Sequence, residues 1–103
     1  MLAHNDYFTL HDNSEAAQQT MIAACKKYLS SLPGIVFFAC GTLQQELSRP
    51  VNVRDFDIAL HVVFESLAAH DAYQDSPPHH QFVAENQENW KEVRVLDSQD
   101  ESA

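Results

Sequence analysis

The sequence predicts an α+β fold with the element order β-α-β-β-α-β, in which an antiparallel four-stranded sheet carries its helices on one face. Three observations support this prediction. The chain has 103 residues, which suits one domain with one core. Its hydrophobic fraction of 45% is typical of a globular protein. Strand-like and helix-like segments follow one another in the order of the ferredoxin-like fold.

The first strand is predicted over residues 2–10, LAHNDYFTL. Alternate residues of a strand point to opposite faces, and one face carries Leu2, His4, Asp6, Phe8 and Leu10. The apolar members of this set indicate that it faces the helices. Capping residues follow in HDNS (11–14), where Asp12 with Glu15, or Asn13 and Ser14, can accept the first free N–H groups. The first helix is predicted to end near Leu32.

The second strand is predicted over IVFFACG (35–41), and a long loop follows over 42–55. The third strand covers FDIALHVVF (56–64), with Phe56, Ile58, Leu60, Val62 and Phe64 on one face. A short helix over 65–76 precedes Pro77 and Pro78, which suit the first turn of another helix that runs to about Asn89. The last strand is WKEVRVLD (90–97). We predict one domain over 1–97 and an acidic, disordered tail over 98–103.

Charge and composition narrow the function classes. The net charge is −9 with only six Lys and Arg, which argues against binding to nucleic acid or to anionic membranes, since phosphate groups need clustered cations. No segment approaches the ~20 apolar residues of a membrane helix, and no signal peptide is recognisable. We therefore predict a cytoplasmic protein. Cys25 and Cys40 lack metal or redox spacing.

An ordered set of short segments resembles the stress-responsive A/B barrel domain (Dabb) family. The segments are His4, LPGI (32–35), Gly41, FDIALHVVFES (56–66), Tyr73, Pro77-x-His79-x-x-Phe82 and VRVLD (93–97). The resemblance implies a ferredoxin-like monomer that pairs into a dimeric α/β barrel. A plant branch of the family contains cofactor-free polyketide cyclases that use a tyrosine and a histidine six residues apart. Their positions match Tyr73 and His79, and the strand-one histidine of the cyclase pocket matches His4.

The chain departs from this family at the expected pocket. Asp6 stands where members carry an aliphatic residue, and Met21, Ile22 and Cys25 stand near positions of large aromatic residues in the cyclases. The resemblance therefore implies a more polar pocket of different shape. The predicted catalytic residues are His79, Tyr73 and His4, and the predicted pocket residues are Asp6, Phe8, Met21, Ile22, Cys25 and Phe82.

The candidate residues suit proton transfer without a metal or cofactor. His79 falls in the first turn of a helix, where the positive end of the helix dipole disfavours a cation and keeps the imidazole neutral, as a base requires. The Tyr73 hydroxyl could donate to an oxygen that becomes negative. Alternatively, His79 only caps its helix and Tyr73 is a core residue.

His4 and Asp6 lie two residues apart on one strand and therefore share a face. A buried carboxylate needs a partner, and a neighbouring carboxylate should raise the His4 pKa. A metal held by His4, Asp6 and His79 is an alternative, because imidazole and carboxylate are ligands of zinc and iron. No sequence spacing supports it, so we expect no metal and no cofactor.

Three function classes remain open. The first is a cofactor-free cyclase, isomerase or lyase that uses His79 and Tyr73 on a small carbonyl or polyketide-like compound. The second is a non-catalytic dimeric protein that binds a small apolar ligand or acts only in stress stability. The third, from fold analogy alone, is a cofactor-free oxygenase. In each case the uncovered sheet face, with Tyr7, His61 and Val63, predicts a two-fold homodimer.

Overall fold

The computed structural model describes residues 1–103 and has the predicted α+β order. The strands are β1 (Leu2–Leu10), β2 (Ile35–Thr42), β3 (Ile58–Phe64) and β4 (Trp90–Gln99). The helices are α1 (Glu15–Leu29), α2 (Leu67–Gln74) and α3 (Pro77–Asn86), and a single 3₁₀ turn follows at Gln87–Asn89. All neighbouring strands are antiparallel in the order β2-β3-β1-β4. The ferredoxin-like fold is therefore confirmed.

The core lies between the helices and the face of the sheet that the sequence pattern identified. On β1, the buried side chains Leu2, His4, Asp6, Phe8 and Leu10 share that face. β3 lies beside β1 and adds Ile58, Leu60, Val62 and Phe64, all at most 1% exposed. The helices contribute Met21, Cys25, Leu29, Tyr73 and Phe82. His4 and Asp6 are the two polar residues buried with this cluster.

Serine side chains begin all three helices. Ser14 accepts the Ala17 N–H at 3.2 Å, Ser66 accepts the Ala69 N–H at 3.1 Å, and Ser76 accepts the His79 N–H at 3.3 Å. Each bond satisfies one of the free N–H groups of a first helical turn. Among the capping residues considered for α1, Ser14 is the one that caps the helix. Pro77 occupies the first position of α3, where its missing N–H costs no hydrogen bond.

The turn after α1 depends on Gly34. α1 ends at Leu29, three residues before the predicted end, and the chain reaches β2 through Gly34 with φ of +86°. A Cβ at this position would lie 2.5 Å from the Cβ of Ala69 on α2. Glycine is needed here both for its backbone conformation and for the close approach of α2.

The start of β3 differs from the prediction. The strand begins at Ile58, and Phe56, which we predicted on the helix-covered face, instead packs its ring 5.0 Å from the ring of Tyr7 on the uncovered face. The loop over 43–57 carries Phe56 to that side before the strand pairing begins. An alternating apolar pattern cannot show where the first ladder bond forms.

β4 is longer than predicted. It runs to Gln99, where Gln99 pairs with Leu2, and the Asp100 N–H donates to the Met1 carbonyl at 2.7 Å. Ser98 and Gln99, which we assigned to a disordered tail, are therefore part of the sheet. Backbone pairing along β1 needs no apolar side chains, so the polar sequence gave no signal for it.

The second face of the sheet is not covered by a helix. Tyr7, His61 and Val63 lie there half-buried, while Phe37 is 55% and Leu96 is 58% exposed. No helix of the chain has both the length and the apolar character that crossing a membrane would need.

Candidate functional site

A cavity of about 150 Å³ lies between α3 and the β1–β4 half of the sheet. Four polar side chains line it: His4, Asp6, Gln74 and His79. The remaining walls are apolar and consist of Phe8, Phe82, Val83, Trp90, Val93 and Val95. Val93 and Val95 on the edge strand are 40% and 49% exposed, so the cavity opens to solvent at β4. Phe8 and Phe82 thus lie where the sequence predicted pocket residues.

His4 is held between two carboxylates. Its Nδ1 lies 2.5 Å from Oδ1 of Asp97, and its Nε2 lies 3.1 Å from Oδ1 of Asp6. The Asp6 oxygen makes no well-aligned hydrogen bond, so this second contact is an ion pair by proximity. Burial alone would lower the His4 pKa, but the close contact and charge of Asp6, and then the hydrogen bond and charge of Asp97, outweigh burial and raise the pKa.

His79 has the opposite surroundings. It lies in the first turn of α3, and its imidazole makes no hydrogen bond to another group of the chain. Burial lowers its pKa, and the positive charges of nearby histidines act in the same direction, while the charge of Asp6 opposes them in part. The His79 imidazole is therefore neutral at neutral pH and able to accept a proton.

Tyr73 lies beneath the cavity rather than on its wall. Its side chain is buried, with ring centroids 5.0 Å from His79, 6.2 Å from His4 and 4.8 Å from Phe64. Its hydroxyl is buried without a hydrogen-bond partner, and burial raises its pKa. Tyr73 thus packs its ring near both imidazoles, and it is not among the residues that line the cavity in which we expected its hydroxyl to act.

Three residues expected in the pocket lie elsewhere. Cys25 is fully buried in the core, and burial raises the pKa of its thiol. Met21 is also a core residue and borders a separate surface groove of about 460 Å³ that contains no histidine. Ile22 packs against the core half-buried. α1 covers the β2–β3 part of the sheet, so these residues fill the space that separates it from the strands.

Sequence reasoning missed Asp97, Gln74 and His70. Asp97 lies opposite His4 in the β1–β4 register, and alternation within VRVLD already places Val93, Val95 and Asp97 on one face. Gln74 follows Tyr73 on α2, and its Nε2 lies 3.4 Å from Nε2 of His4. The His70 ring centroid lies 5.0 Å from that of His4.

The metal alternative involves different residues from those considered in the sequence. One ligand atom each from His4, His70 and Asp97 lie within 4.8 Å of one another. His79 is not part of this group, because it approaches the cavity from α3 while His70 approaches His4 from α2.

Comparison with known proteins agrees with this architecture. The stress-responsive A/B barrel domain family matches residues 2–100. A Dabb family protein from Mesorhizobium loti is 22% identical, with a TM-score of 0.80 over 98% of this chain and 97% of its own. A dimeric ferredoxin-like protein of unknown function from Thermobifida fusca is 18% identical, with a TM-score of 0.77 over 94% and 88%.

A third similar structure is an enzyme. Hydroxynitrile lyase from Passiflora edulis is 22% identical, with a TM-score of 0.74 over 94% of this chain and 90% of its own. No curated protein sequence is significantly similar to this chain. At these identities the structures establish a shared fold.

Proposed function

This chain belongs to the stress-responsive A/B barrel domain family, and we propose that it is a cofactor-independent acid–base catalyst for a small, neutral carbonyl compound or hydroxynitrile. One observation carries the proposal. Two imidazoles line one solvent-accessible cavity, and one is clamped between two carboxylates while the other has no hydrogen-bond partner. An environment that raises the pKa of one titratable group and lowers the pKa of a second one nearby is typical of acid–base pairs.

His79 is the base in this proposal. Its neutral imidazole can take a proton from a hydroxyl group or from a carbon next to a carbonyl. Hydrogen-bond reach is the first requirement for such a base, and His79 meets it because it forms part of the cavity wall.

His4 is the acid. The two carboxylates favour the protonated form of its imidazole and raise its pKa, and its Nε2 side faces the cavity residues Asp6 and Gln74. An N–H that points towards a developing negative charge stabilises that charge. The Gln74 amide offers a second N–H donor to a substrate oxygen that becomes negative. It thus takes the role that the sequence assigned to the Tyr73 hydroxyl.

The size of the cavity restricts the substrate. A volume of about 150 Å³ equals roughly five water molecules at about 30 Å³ each, and typical pockets for larger ligands have about 300–1,000 Å³. This volume favours a compound of few heavy atoms over a polyketide. The charge of the site also restricts the substrate. The carboxylates of Asp6 and Asp97 outnumber the single imidazolium of His4, so the site repels an anion.

Hydroxynitrile cleavage illustrates the chemistry. His79 takes the hydroxyl proton as the carbon–carbon bond to the nitrile breaks and its electrons leave with cyanide. His4 supplies the proton that converts cyanide to hydrogen cyanide, and a carbonyl compound remains. The name of the Passiflora edulis neighbour supports this reaction class, and enolisation of a small ketone needs the same two proton transfers.

The test is an activity assay on small substrates. Acetone cyanohydrin and similarly small hydroxynitriles are assayed for cyanide release, and small ketones for α-proton exchange in D₂O by NMR. We expect His79→Asn to lower turnover by about 10²–10⁴-fold, the usual contribution of a general base. His80→Asn is the matched control, because His80 is exposed beside His79.

The outcomes separate catalysis from binding alone. Wild-type protein that binds these compounds, as seen in chemical shifts of cavity residues, without turning them over would support the non-catalytic ligand-binding alternative. Equal turnover in wild type and His79→Asn would contradict the role of His79.

We also propose that the chain forms a homodimer through the uncovered sheet face. Phe37 and Leu96 are more than half exposed there, and Tyr7, His61 and Val63 lie between them. Similar structures are described as dimeric, which supports the proposal. A two-fold axis through this face would pack apolar side chains of each copy against the same surface of the other.

A further inference from the structure

We propose that His4, His70 and Asp97 form a binding site for a divalent transition metal with the ligand preference of zinc. The site lies where β1, α2 and β4 meet, beside the cavity, and neither His70 nor Asp97 lines that cavity. It goes beyond the proposed acid–base function, which uses no metal.

The three side chains converge from different elements. One ligand atom of each lies within 4.8 Å of the other two. His4 Nδ1 and Asp97 Oδ1 are 2.5 Å apart, and the two imidazole centroids are 5.0 Å apart. Two imidazoles and one carboxylate are a ligand set found in zinc sites that keep a fourth position open.

The distances suit zinc after small side-chain movements. Zinc bonds of about 2.0–2.2 Å in a tetrahedral site place the ligand atoms roughly 3.4 Å from one another. The Asp97 oxygen must move away from His4 Nδ1 by about 1 Å to meet this spacing. The Asp97 side chain is 46% exposed and can turn, and its exposure leaves an entry path and a place for a water ligand.

Both imidazoles have a carboxylate behind the metal position. Asp6 lies 3.1 Å from Nε2 of His4, and Asp71 lies 3.0 Å from Nδ1 of His70. Metal-binding histidines typically donate their second ring nitrogen to a carboxylate, which fixes the ring and raises its basicity. A metal at Nδ1 of His4 and Nε2 of His70 keeps both contacts. This independent feature distinguishes the group from a chance cluster of polar residues.

Metal binding has a consequence for the cavity. A metal at Nδ1 of His4 displaces the contact with Asp97 and blocks protonation of that nitrogen, so metal-bound His4 cannot be an imidazolium. Zinc is therefore expected to inhibit the acid–base activity. This consequence rests on the proposed function, whereas metal binding itself does not.

The test is isothermal titration of the metal-stripped protein with ZnCl₂ in a buffer that does not chelate zinc. We expect one zinc ion per chain, with proton release that is seen as a dependence of the heat on the ionisation enthalpy of the buffer. His70→Ala removes a ligand that does not line the cavity, and zinc binding should fall at least tenfold. Asp71→Asn should weaken binding about 10–100-fold, as loss of an outer carboxylate usually does.

His11→Ala is the matched control, because His11 is an exposed histidine beyond the far end of β1. The zinc affinity of the His11→Ala protein should equal that of wild type. Absorption of the Co²⁺-substituted protein provides a second measurement, with intense visible bands expected for a tetrahedral site. Absence of zinc binding by wild type, or unchanged affinity in a folded His70→Ala protein, would overturn the proposal. Octahedral Co²⁺ absorption with unchanged affinity in Asp71→Asn would also overturn it.

Discussion

Replacing Asp6 with Asn tests the electrostatic arrangement around His4. The substitution keeps the shape of the side chain and removes its charge. His4 and Asp6 are 4% and 11% exposed in their side chains, and Nε2 and Oδ1 lie 3.1 Å apart. Unit charges about 4 Å apart attract by roughly 4 kcal/mol at an effective dielectric constant of about 20. Asp97 remains as a second partner and the buried charges lose hydration, so we expect a loss of about 1–3 kcal/mol in the free energy of unfolding.

The loss should depend on pH in a defined direction. The His4 pKa is higher in the folded state than in the unfolded state. The charged imidazole therefore stabilises the fold fully below its unfolded-state pKa of about 6.5. This stabilisation is lost as the pH rises through the folded-state pKa. The destabilisation of Asp6→Asn is therefore largest near pH 6. It should shrink towards zero at alkaline pH, once the pH exceeds the folded-state His4 pKa and the buried Asp6 faces a neutral imidazole.

Urea unfolding at the two pH values, with a chelator present to exclude metal, measures this difference. Asp71→Asn is the control, because Asp71 lies 3.0 Å from His70 but is 66% exposed, and such pairs contribute about 0–1 kcal/mol. An Asp6→Asn protein that is equally destabilised at both pH values would refute the charge argument and indicate a packing effect. No destabilisation at either pH would mean that His4 is neutral in the folded protein.

Two further predictions concern assembly and backbone geometry. Phe37→Lys places a charge on the uncovered sheet face, where Phe37 is 55% exposed. Light scattering should show a dimer for wild type and a monomer for the variant. A monomeric wild type would contradict the proposed interface. Gly34→Ala should lower the free energy of unfolding by about 1–2 kcal/mol because of the left-handed backbone conformation alone. The loss should be larger because the new Cβ would clash with Ala69. Thermal or urea unfolding that matches wild type would show that the turn can rearrange.

The sequence alone determined the order of the elements, the helix-covered face of β1 and the family. These properties depend on local patterns. The period of two along LAHNDYFTL placed His4 and Asp6 on the buried face, and Pro77 marked the first turn of the helix that carries His79. The two imidazoles of the candidate site were therefore available from sequence.

Tertiary structure decided which side chains contact these two imidazoles. Asp97 reaches His4 because β4 pairs with β1 in a register that places the two residues opposite each other. His70 reaches His4 because the packing of α2 on the sheet brings the two ring centroids within 5.0 Å. The same packing buried the Tyr73 hydroxyl without a hydrogen-bond partner and placed the Cys25 side chain of α1 inside the core. Strand register and helix placement result from the packing of the whole core, so contacts between residues up to 93 positions apart leave no periodic signal in a single sequence.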